Sequence, residues 1–257
     1  MIQSVDRAIR VLGVLQAERH LSLSEIAARL ELAPSTVHGI IKTLQTHGLV
    51  LQEQGSARYR LGPAVLKLGN VYLDTLELRS RSLTWAAELA RTTGHAVRTA
   101  VLLPDEVMIV HHEPRPDGSR QMPEVGIVIP AHASALGKAI LAYAPDQARA
   151  LMAGGPLRSM TRDTVTDPAE FRAGLDRVRA DALATEQEEA VIGECGLAAP
   201  IFDGYRTVVG AISVVVPIPE WPPGETVAGA VREAARRISR ELGAAGWPIP
   251  PADPPAR

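Results

Sequence analysis

The stretch SLSEIAARLELAPSTVHGIIKTLQTHGL, residues 22–49, has the pattern of two helices joined by a tight turn. Ser22 stands three residues before Glu25, which is the spacing of a capping box at the start of a helix. Pro34 suits the first position of a second helix, because the N–H that proline lacks would be unpaired there. Gly48 suits the position just past the end of that helix. The stretch therefore predicts a helix-turn-helix.

The sequence on either side completes a small domain. Upstream, an amphipathic helix is predicted from apolar residues at helical spacing, namely Val5, Ala8, Ile9, Leu12 and Leu15. Downstream, residues 49–51 and 58–61 alternate as the strands of a half-buried hairpin do, which leaves Arg58 and Arg60 outside. A helix-turn-helix followed by a basic hairpin is the arrangement of a winged helix-turn-helix, so double-stranded DNA is the predicted partner.

The outer face of the second helix supplies most of the predicted DNA contacts. At 100° per residue its short polar and basic side chains lie away from the apolar row, and the DNA major groove admits one helix. The predicted contacts are Ser35, Thr36, His38 and Lys42 on the helix, Arg58 on the wing, and Arg7 as a phosphate contact. A protein-interaction domain or a solvated polar face explains the same pattern, and the sequence alone leaves these alternatives open.

Length, cysteine content and charge limit the class of protein. The chain has 257 residues, one cysteine and a formal charge of −2, so an internal disulfide or a multi-thiolate zinc site is excluded. The first residues lack a basic segment followed by an apolar run, and 18 consecutive apolar residues occur nowhere, so we expect a cytoplasmic protein with no membrane partner. Residues 1–62 hold seven Lys/Arg and five Asp/Glu, whereas residues 63–257 hold 20 and 24. The near-neutral total therefore averages a slightly basic part and a more acidic one.

The chain is predicted to divide at Gly62-Pro63. Beyond Gly94 strands and helices mix, including a helix from Pro168 to about Ala184, which predicts an α+β domain with a mainly antiparallel sheet. The expected parts are a winged helix-turn-helix (1–62), a continuous helical linker and dimerisation region (63–93), a second domain (94–247) and a proline-rich disordered tail (248–257). Core packing and a dimer contact explain equally well the apolar stripe of the linker, which is Val65, Leu68, Tyr72 and Leu76.

Several segments, in a fixed order over about residues 4–245, resemble the isocitrate lyase regulator (IclR) family. In the first domain they are Ser4-Val5-Asp6-Arg7-Ala8, Leu23-Ser24-Glu25-Ile26-Ala27, Pro34-Ser35-Thr36-Val37-His38, Thr43-Leu44, Gly48-Leu49-Val50 and Tyr59-Arg60-Leu61-Gly62. In the second they are residues 132–142, Glu188-Glu189-Ala190-Val191-Ile192-Gly193, Ala198-Ala199-Pro200-Ile201 and Gly210-Ala211-Ile212-Ser213-Val214. The resemblance implies a GAF-like effector domain, a homodimer or dimer of dimers, and repression or activation of transcription controlled by a small molecule. No cofactor is predicted.

One part of the predicted effector site is a helix N-terminus. His132-Ala133-Ser134 precedes a helix, so Ser134 is a predicted N-cap. The first free amides of that helix belong to Ala135 and Leu136, and such amides suit a carboxylate. The resemblance also indicates these amides as effector contacts.

The rest of the predicted effector site lies on strands. Ser213 is the one hydroxyl in the apolar run 209–215 and shares a face with Val215, so it needs a backbone or a ligand partner, and the resemblance favours the ligand. The resemblance adds Glu186, where many members have Asp, and Gly196, where some have a cysteine. Glycine there is expected to enlarge the pocket, and Cys195 is expected on the opposite face. The predicted effector is a small organic acid or an aromatic metabolite.

Catalysis is an alternative function, because His132, Ser134 and Lys138 are close in sequence. A serine hydrolase needs a positioned base and an orienting group, the chain has no Gly-x-Ser-x-Gly elbow, and capping already explains Ser134. His111 and His112 face opposite sides of a strand, so no metal site is predicted. The prediction is a ligand-responsive regulator without catalytic residues. The alternatives are a metabolite-binding module without DNA readout and a serine hydrolase.

Overall fold

The computed structural model describes residues 2–250, which divide into two compact units between Thr75 and Leu76. Each unit has a buried apolar core of its own. Within residues 2–250, no helix combines the length and the apolar character needed to cross a membrane.

The first unit is a helix-turn-helix with a small antiparallel sheet in which the third strand pairs with the other two. Its elements are α1 (Gln3–Glu18), β1 (Leu21–Ser22), α2 (Leu23–Leu30), α3 (Pro34–Thr46), β2 (Val50–Gln52), β3 (Arg58–Leu61) and α4 (Ala64–Thr75). The capping box is present, since the Glu25 amide donates to Ser22 Oγ at 3.3 Å and the Ser22 amide donates to Glu25 Oε2 at 2.7 Å. Pro34 opens α3 and Gly48 has φ +68° just after it. The predicted helix-turn-helix and hairpin are confirmed.

The buried face of α1 differs from the predicted stripe, and the apolar stripe on α4, whose role the sequence left open, is exposed. On α1 the buried residues are Val11 and Leu15, whereas Val5 and Ile9 are 52% and 64% exposed. The buried face of α1 is rotated from the predicted stripe, because it is centred between Val11 and Leu15 and so leaves Val5 and Ile9 exposed. On α4 no residue is buried, and Leu68 is 64% exposed. The predicted apolar faces are therefore partly open in the single chain.

The second unit is an α+β domain, as predicted, built on one antiparallel sheet in the order β6-β5-β4-β9-β8-β7. Its strands are β4 (Ala96–Leu102), β5 (Glu106–Glu113), β6 (Val128–Pro130), β7 (Ala184–Gln187), β8 (Glu194–Phe202) and β9 (Val208–Pro217). Its helices are α5 (Glu77–Thr93), α6 (Ala135–Leu141), α7 (Pro145–Met152), α8 (Pro168–Asp181) and α9 (Glu225–Glu241). Helices α5 and α9 pack together on the sheet, and α6 packs on β8 and β9 from the side of Ala198 and Ala211.

Three predicted boundaries differ from the observed ones. The helix expected over 63–93 is interrupted at Leu76, whose backbone is extended (φ −80°, ψ 99°) where α5 begins to bury its own residues, such as Leu78. The helix expected to reach Ala184 ends at Asp181, and the chain continues as β7 because Ala184 pairs with Ala198. The tail expected to be disordered from 248 has Ile249 buried in the core. Residues 251–257 of that tail lie outside the described residues.

We expect Gly137→Ala to destabilise the protein by about 3 kcal/mol or more, because the new methyl carbon would lie 2.0 Å from the Ala131 carbonyl oxygen. Gly174→Ala is the matched control, since its new carbon would have Arg177 Nη2 as its nearest neighbour, at 3.7 Å. That control should be neutral or gain up to about 1 kcal/mol of helix propensity. Urea unfolding followed by circular dichroism measures both, and equal midpoints for the two variants would contradict the close contact.

Candidate functional site

The outer face of α3 is a polar surface available to a partner. Ser35, His38 and Lys42 are exposed and Thr36 is half-buried, while the opposite side of the helix is in the core. A glycine, Gly39, lies within the same face with open space around it. The major groove of DNA admits one helix, and the short polar side chains on this face can form hydrogen bonds to the edges of the bases.

The first turn of α3 suits a phosphate group. It contains no acidic residue, and the residue before Pro34 makes no side-chain capping bond. The positive end of the helix dipole is therefore not neutralised by a local carboxylate, and free amides there favour anions. This feature extends the candidate DNA surface beyond side chains.

The arginines near α3 differ in burial and in the contacts that their side chains make within the chain. Arg7 is half-buried on α1. Arg58 donates from Nη1 to the His20 carbonyl oxygen at 3.0 Å and lies 3.6 Å from a Glu25 carboxylate oxygen. Arg60, two residues further along the same strand, is exposed and forms no ion pair within the described chain. The alternation of β3 already places Arg60 outside, so the wing offers two cations where the sequence prediction chose one.

The six residues predicted as effector contacts line one cavity in the second unit. They are Ala135, Leu136, Glu186, Gly196, Ser213 and Val215. Two of them, Ser213 and Val215, lie on β9, where they pair with Ala198 and Gly196 of β8. The free volume is about 30 Å³, room for roughly two water molecules. Binding of a larger molecule therefore requires some of the lining residues to move.

Arg98 also lines this cavity, and it is a residue that the sequence prediction missed. Its guanidinium donates to Glu194 at 3.1 Å and, in a paired contact that includes a 2.9 Å bond, to Glu124. Its side chain is only 13% exposed. The signal was present, because Arg98 is the one charged residue in the apolar run Ala96–Leu102, and a buried cation in a strand requires partners.

Glu186 is the cavity residue whose ionisation is most altered. Burial raises its pKa from 4.5 to about 7, against the opposing effect of the Glu189 amide, which donates to Glu186 Oε2 at 3.1 Å. Near neutral pH the carboxyl is therefore partly protonated. In that form it can donate a hydrogen bond to an anion, and in its ionised form it accepts one from a hydroxyl group.

Gly196 does not enlarge the cavity as expected. A Cβ built on it would lie 3.3 Å from both Ala135 Cβ and Glu186 Oε1. The missing side chain thus lets α6 and Glu186 approach the sheet closely, and they occupy the space that the sequence prediction left free. The neighbouring Cys195 is buried, and burial raises the pKa of its thiol.

The three residues that suggested a hydrolase all have structural partners. Ser134 Oγ accepts from the Gly137 amide at 3.1 Å, as the predicted N-cap. His132 Nε2 lies 2.7 Å from the Arg158 carbonyl oxygen, and Lys138 pairs with Glu189. Among the described residues no hydrogen bond joins His132 to Ser134, so the pair lacks the contact of a base with its nucleophile.

Two family models match the chain. Residues 4–54 match the IclR helix-turn-helix domain, and residues 70–240 match the bacterial transcriptional regulator IclR C-terminal domain. The first match contains α2 and α3, and the second contains the cavity with Ser213.

Known proteins of similar sequence and structure are regulators. The glycerol operon regulatory protein of Streptomyces griseus is 45% identical over 248 residues, which cover 95% of this chain and 97% of that protein. An IclR transcriptional regulator from Alicyclobacillus acidocaldarius has a TM-score of 0.80 at 28% identity, covering 95% of this chain and 100% of the other. An IclR homologue from Microbacterium hydrocarbonoxydans, solved with 4-hydroxybenzoate, has a TM-score of 0.78 at 26% identity, covering 93% and 98%.

We expect Glu186→Gln to stabilise the protein at high pH. A carboxyl whose pKa is raised by folding favours the folded state below pH 4.5, and this contribution is lost as the pH rises through about 7. Relative to wild type, the variant should therefore gain roughly 2–3 kcal/mol between pH 5 and pH 8. Urea midpoints at the two pH values measure the gain, with Glu88→Gln at an exposed position of α5 as control. An equal difference from wild type at both pH values would show that Glu186 titrates normally.

Proposed function

The chain belongs to the IclR family of bacterial transcriptional regulators, and we propose that it represses an operon for glycerol use until a small metabolite binds in the second unit. As a member of that family it is a regulator with an N-terminal helix-turn-helix and a C-terminal effector domain. The observation that carries the choice of operon is the 45% identity, over 95% of the chain, to a glycerol operon regulatory protein. Action on chromosomal DNA implies a cytoplasmic protein.

In this proposal α3 enters the major groove of the operator. Ser35, Thr36 and His38 contact base edges, and Lys42 contacts a phosphate. On the wing, Arg58 and Arg60 contact the DNA backbone next to these bases. The absence of acidic residues from the first turn of α3 supports this orientation. Arg7 on α1 is a further proposed phosphate contact.

The proposed division into domains remains 1–62, 63–93 and 94–247, with the linker interrupted at Leu76.

We propose that two or four copies of the chain assemble on an inverted-repeat operator. The support is a set of large apolar side chains left exposed at the start of α1, on α1 and on α4: Ile2, Val5, Ile9, Leu66, Leu68, Val71 and Tyr72. A monomer seldom leaves so many such residues in neighbouring turns uncovered, whereas a symmetric dimer buries them. This favours the dimer contact over core packing as the role of the linker stripe.

For the effector we propose a small organic acid bound in the cavity at Ser213. The amides of Ala135 and Leu136 and a protonated Glu186 would donate to its carboxylate, and Ser213 would bind a second polar group. The free volume of about 30 Å³ favours a ligand of few atoms. An aromatic acid, such as the 4-hydroxybenzoate bound to the Microbacterium homologue, is the second candidate and needs a wider opening.

We expect Lys42→Ala to weaken operator binding and to lower the steepness of its salt dependence by about 0.9 per bound subunit, or roughly 1.8 for a dimer, because each subunit loses one phosphate contact. Fluorescence anisotropy with the promoter fragment of the chain's own operon, titrated at several KCl concentrations, measures both effects. Arg172→Ala, which removes an exposed cation on α8 of the second unit, is the control and should match wild type. An unchanged salt slope for Lys42→Ala would remove Lys42 from the interface.

We expect Ser213→Ala to abolish or strongly weaken the effector response while leaving operator binding intact. Lactate, pyruvate, glycerate, glycerol and 4-hydroxybenzoate are screened for a shift in melting temperature and then for release of the promoter fragment. Ser82→Ala removes another buried hydroxyl, whose partner is the Leu78 carbonyl oxygen, and serves as control. A Ser213→Ala protein that releases DNA at the wild-type ligand concentration would exclude Ser213 from the site.

A further inference from the structure

The second unit contains another cavity, which shares no lining residue with the Ser213 cavity. It lies among α6, α8 and β7, and Arg232 of α9 contributes to its wall. Its volume is about 350 Å³, within the range of roughly 300–1,000 Å³ that is common for small-molecule sites. The Ser213 cavity, at about 30 Å³, has less than a tenth of that space.

One wall of the larger cavity carries a buried carboxylate that is only half satisfied. Glu189 pairs through Oε1 with Lys138 Nζ, and its side chain is 10% exposed. Its other oxygen, Oε2, is buried and has no hydrogen-bond partner in the described chain. A buried carboxylate oxygen without a donor is costly, so Glu189 favours any ligand that brings a donor to it.

The ionisable side chains around the cavity balance in charge. Three are cationic and three anionic: Lys138, Arg177, Arg232, Glu170, Asp181 and Glu189. A ligand carboxylate would face Glu189, and a ligand ammonium would face Lys138. A hydroxyl group instead donates to one neighbour and accepts from another, which matches an ammonium and a carboxylate oxygen side by side.

We propose that this cavity is a second binding site, for a neutral polyhydroxyl compound such as a polyol or a sugar. One hydroxyl donates to Glu189 Oε2 and accepts from Lys138 Nζ. The apolar carbons of the ligand contact the wall formed by Val165 and Leu183. Further hydroxyl groups reach the arginine at the rim, Arg177.

The second site has a short connection to the Ser213 cavity. The amide of Glu189 donates to Glu186 Oε2 at 3.1 Å, and the Thr164 hydroxyl donates to the Glu189 carbonyl oxygen at 2.7 Å. A ligand that moves Glu189 therefore changes the hydrogen bond of Glu186 in the other cavity. This coupling rests on the proposed effector site, whereas binding at the second site does not.

The test is calorimetric titration of the full-length protein with sorbitol and myo-inositol, and with gluconate as the charged analogue of sorbitol. We expect saturable binding of at least one neutral compound and weaker binding of gluconate. Gly174→Leu, which fills the cavity from α8, should weaken binding by about tenfold or more. Gly229→Leu is the matched control, in α9 with open space around it, and should bind as wild type does.

Two further variants keep the result decisive. Glu189→Gln retains the shape of the side chain but replaces its carboxylate, and it should also weaken binding of sorbitol or inositol. This variant tests the site even if Gly174→Leu does not fold. Ser213→Ala should bind these compounds normally. Absence of saturable binding to either neutral compound would overturn the proposal. So would binding that Ser213→Ala abolishes and Gly174→Leu preserves, because the compound would then occupy the Ser213 cavity.

Discussion

Helix α6 lies so close to the preceding chain that a methyl group on Gly137 would overlap the Ala131 carbonyl oxygen. This contact fixes the start of the helix, and Ser134 caps it by accepting from the Gly137 amide. The first residues of α6 form one wall of the Ser213 cavity, while Lys138 forms part of the other cavity. The position of both cavities therefore depends on a backbone approach that glycine alone permits.

Two carboxyl groups next to this helix are buried, and their negative charge is compensated in different ways. Glu186 has no cation in direct contact and keeps a proton to higher pH, because burial disfavours its charge. Glu189 remains paired with Lys138, and the pair is itself buried. Since the amide of Glu189 also bonds to Glu186, the two groups do not respond independently. Proton uptake at one and ligand binding at the other are thermodynamically linked in such an arrangement.

Local rules predicted the first unit well, because its signals depend on residues a few positions apart. The capping box at Ser22, the proline at 34 and the alternation of β3 each fix a short piece of backbone. The predictions failed where tertiary packing decides. Burial of Val5 and Ile9 depends on which side of α1 packs against the core, and the space at Gly196 depends on how closely α6 approaches. Arg98 was missed because its carboxylate partners lie 26 and 96 residues away.

The cavities and the helix-turn-helix belong to separate compact units. In the proposed mechanism, an effector bound in the second unit therefore changes DNA binding by shifting the populations of two states of the protein. An effector that binds equally well to the DNA-competent and DNA-incompetent states shifts nothing, however tightly it binds. Ligand entry into a cavity of about 30 Å³ requires the cavity to open. An effector would therefore bind more tightly to the state of the protein in which the cavity is open. Linkage is reciprocal, so an effector that lowers operator affinity by some factor must itself bind more weakly, by the same factor, to the operator-bound protein.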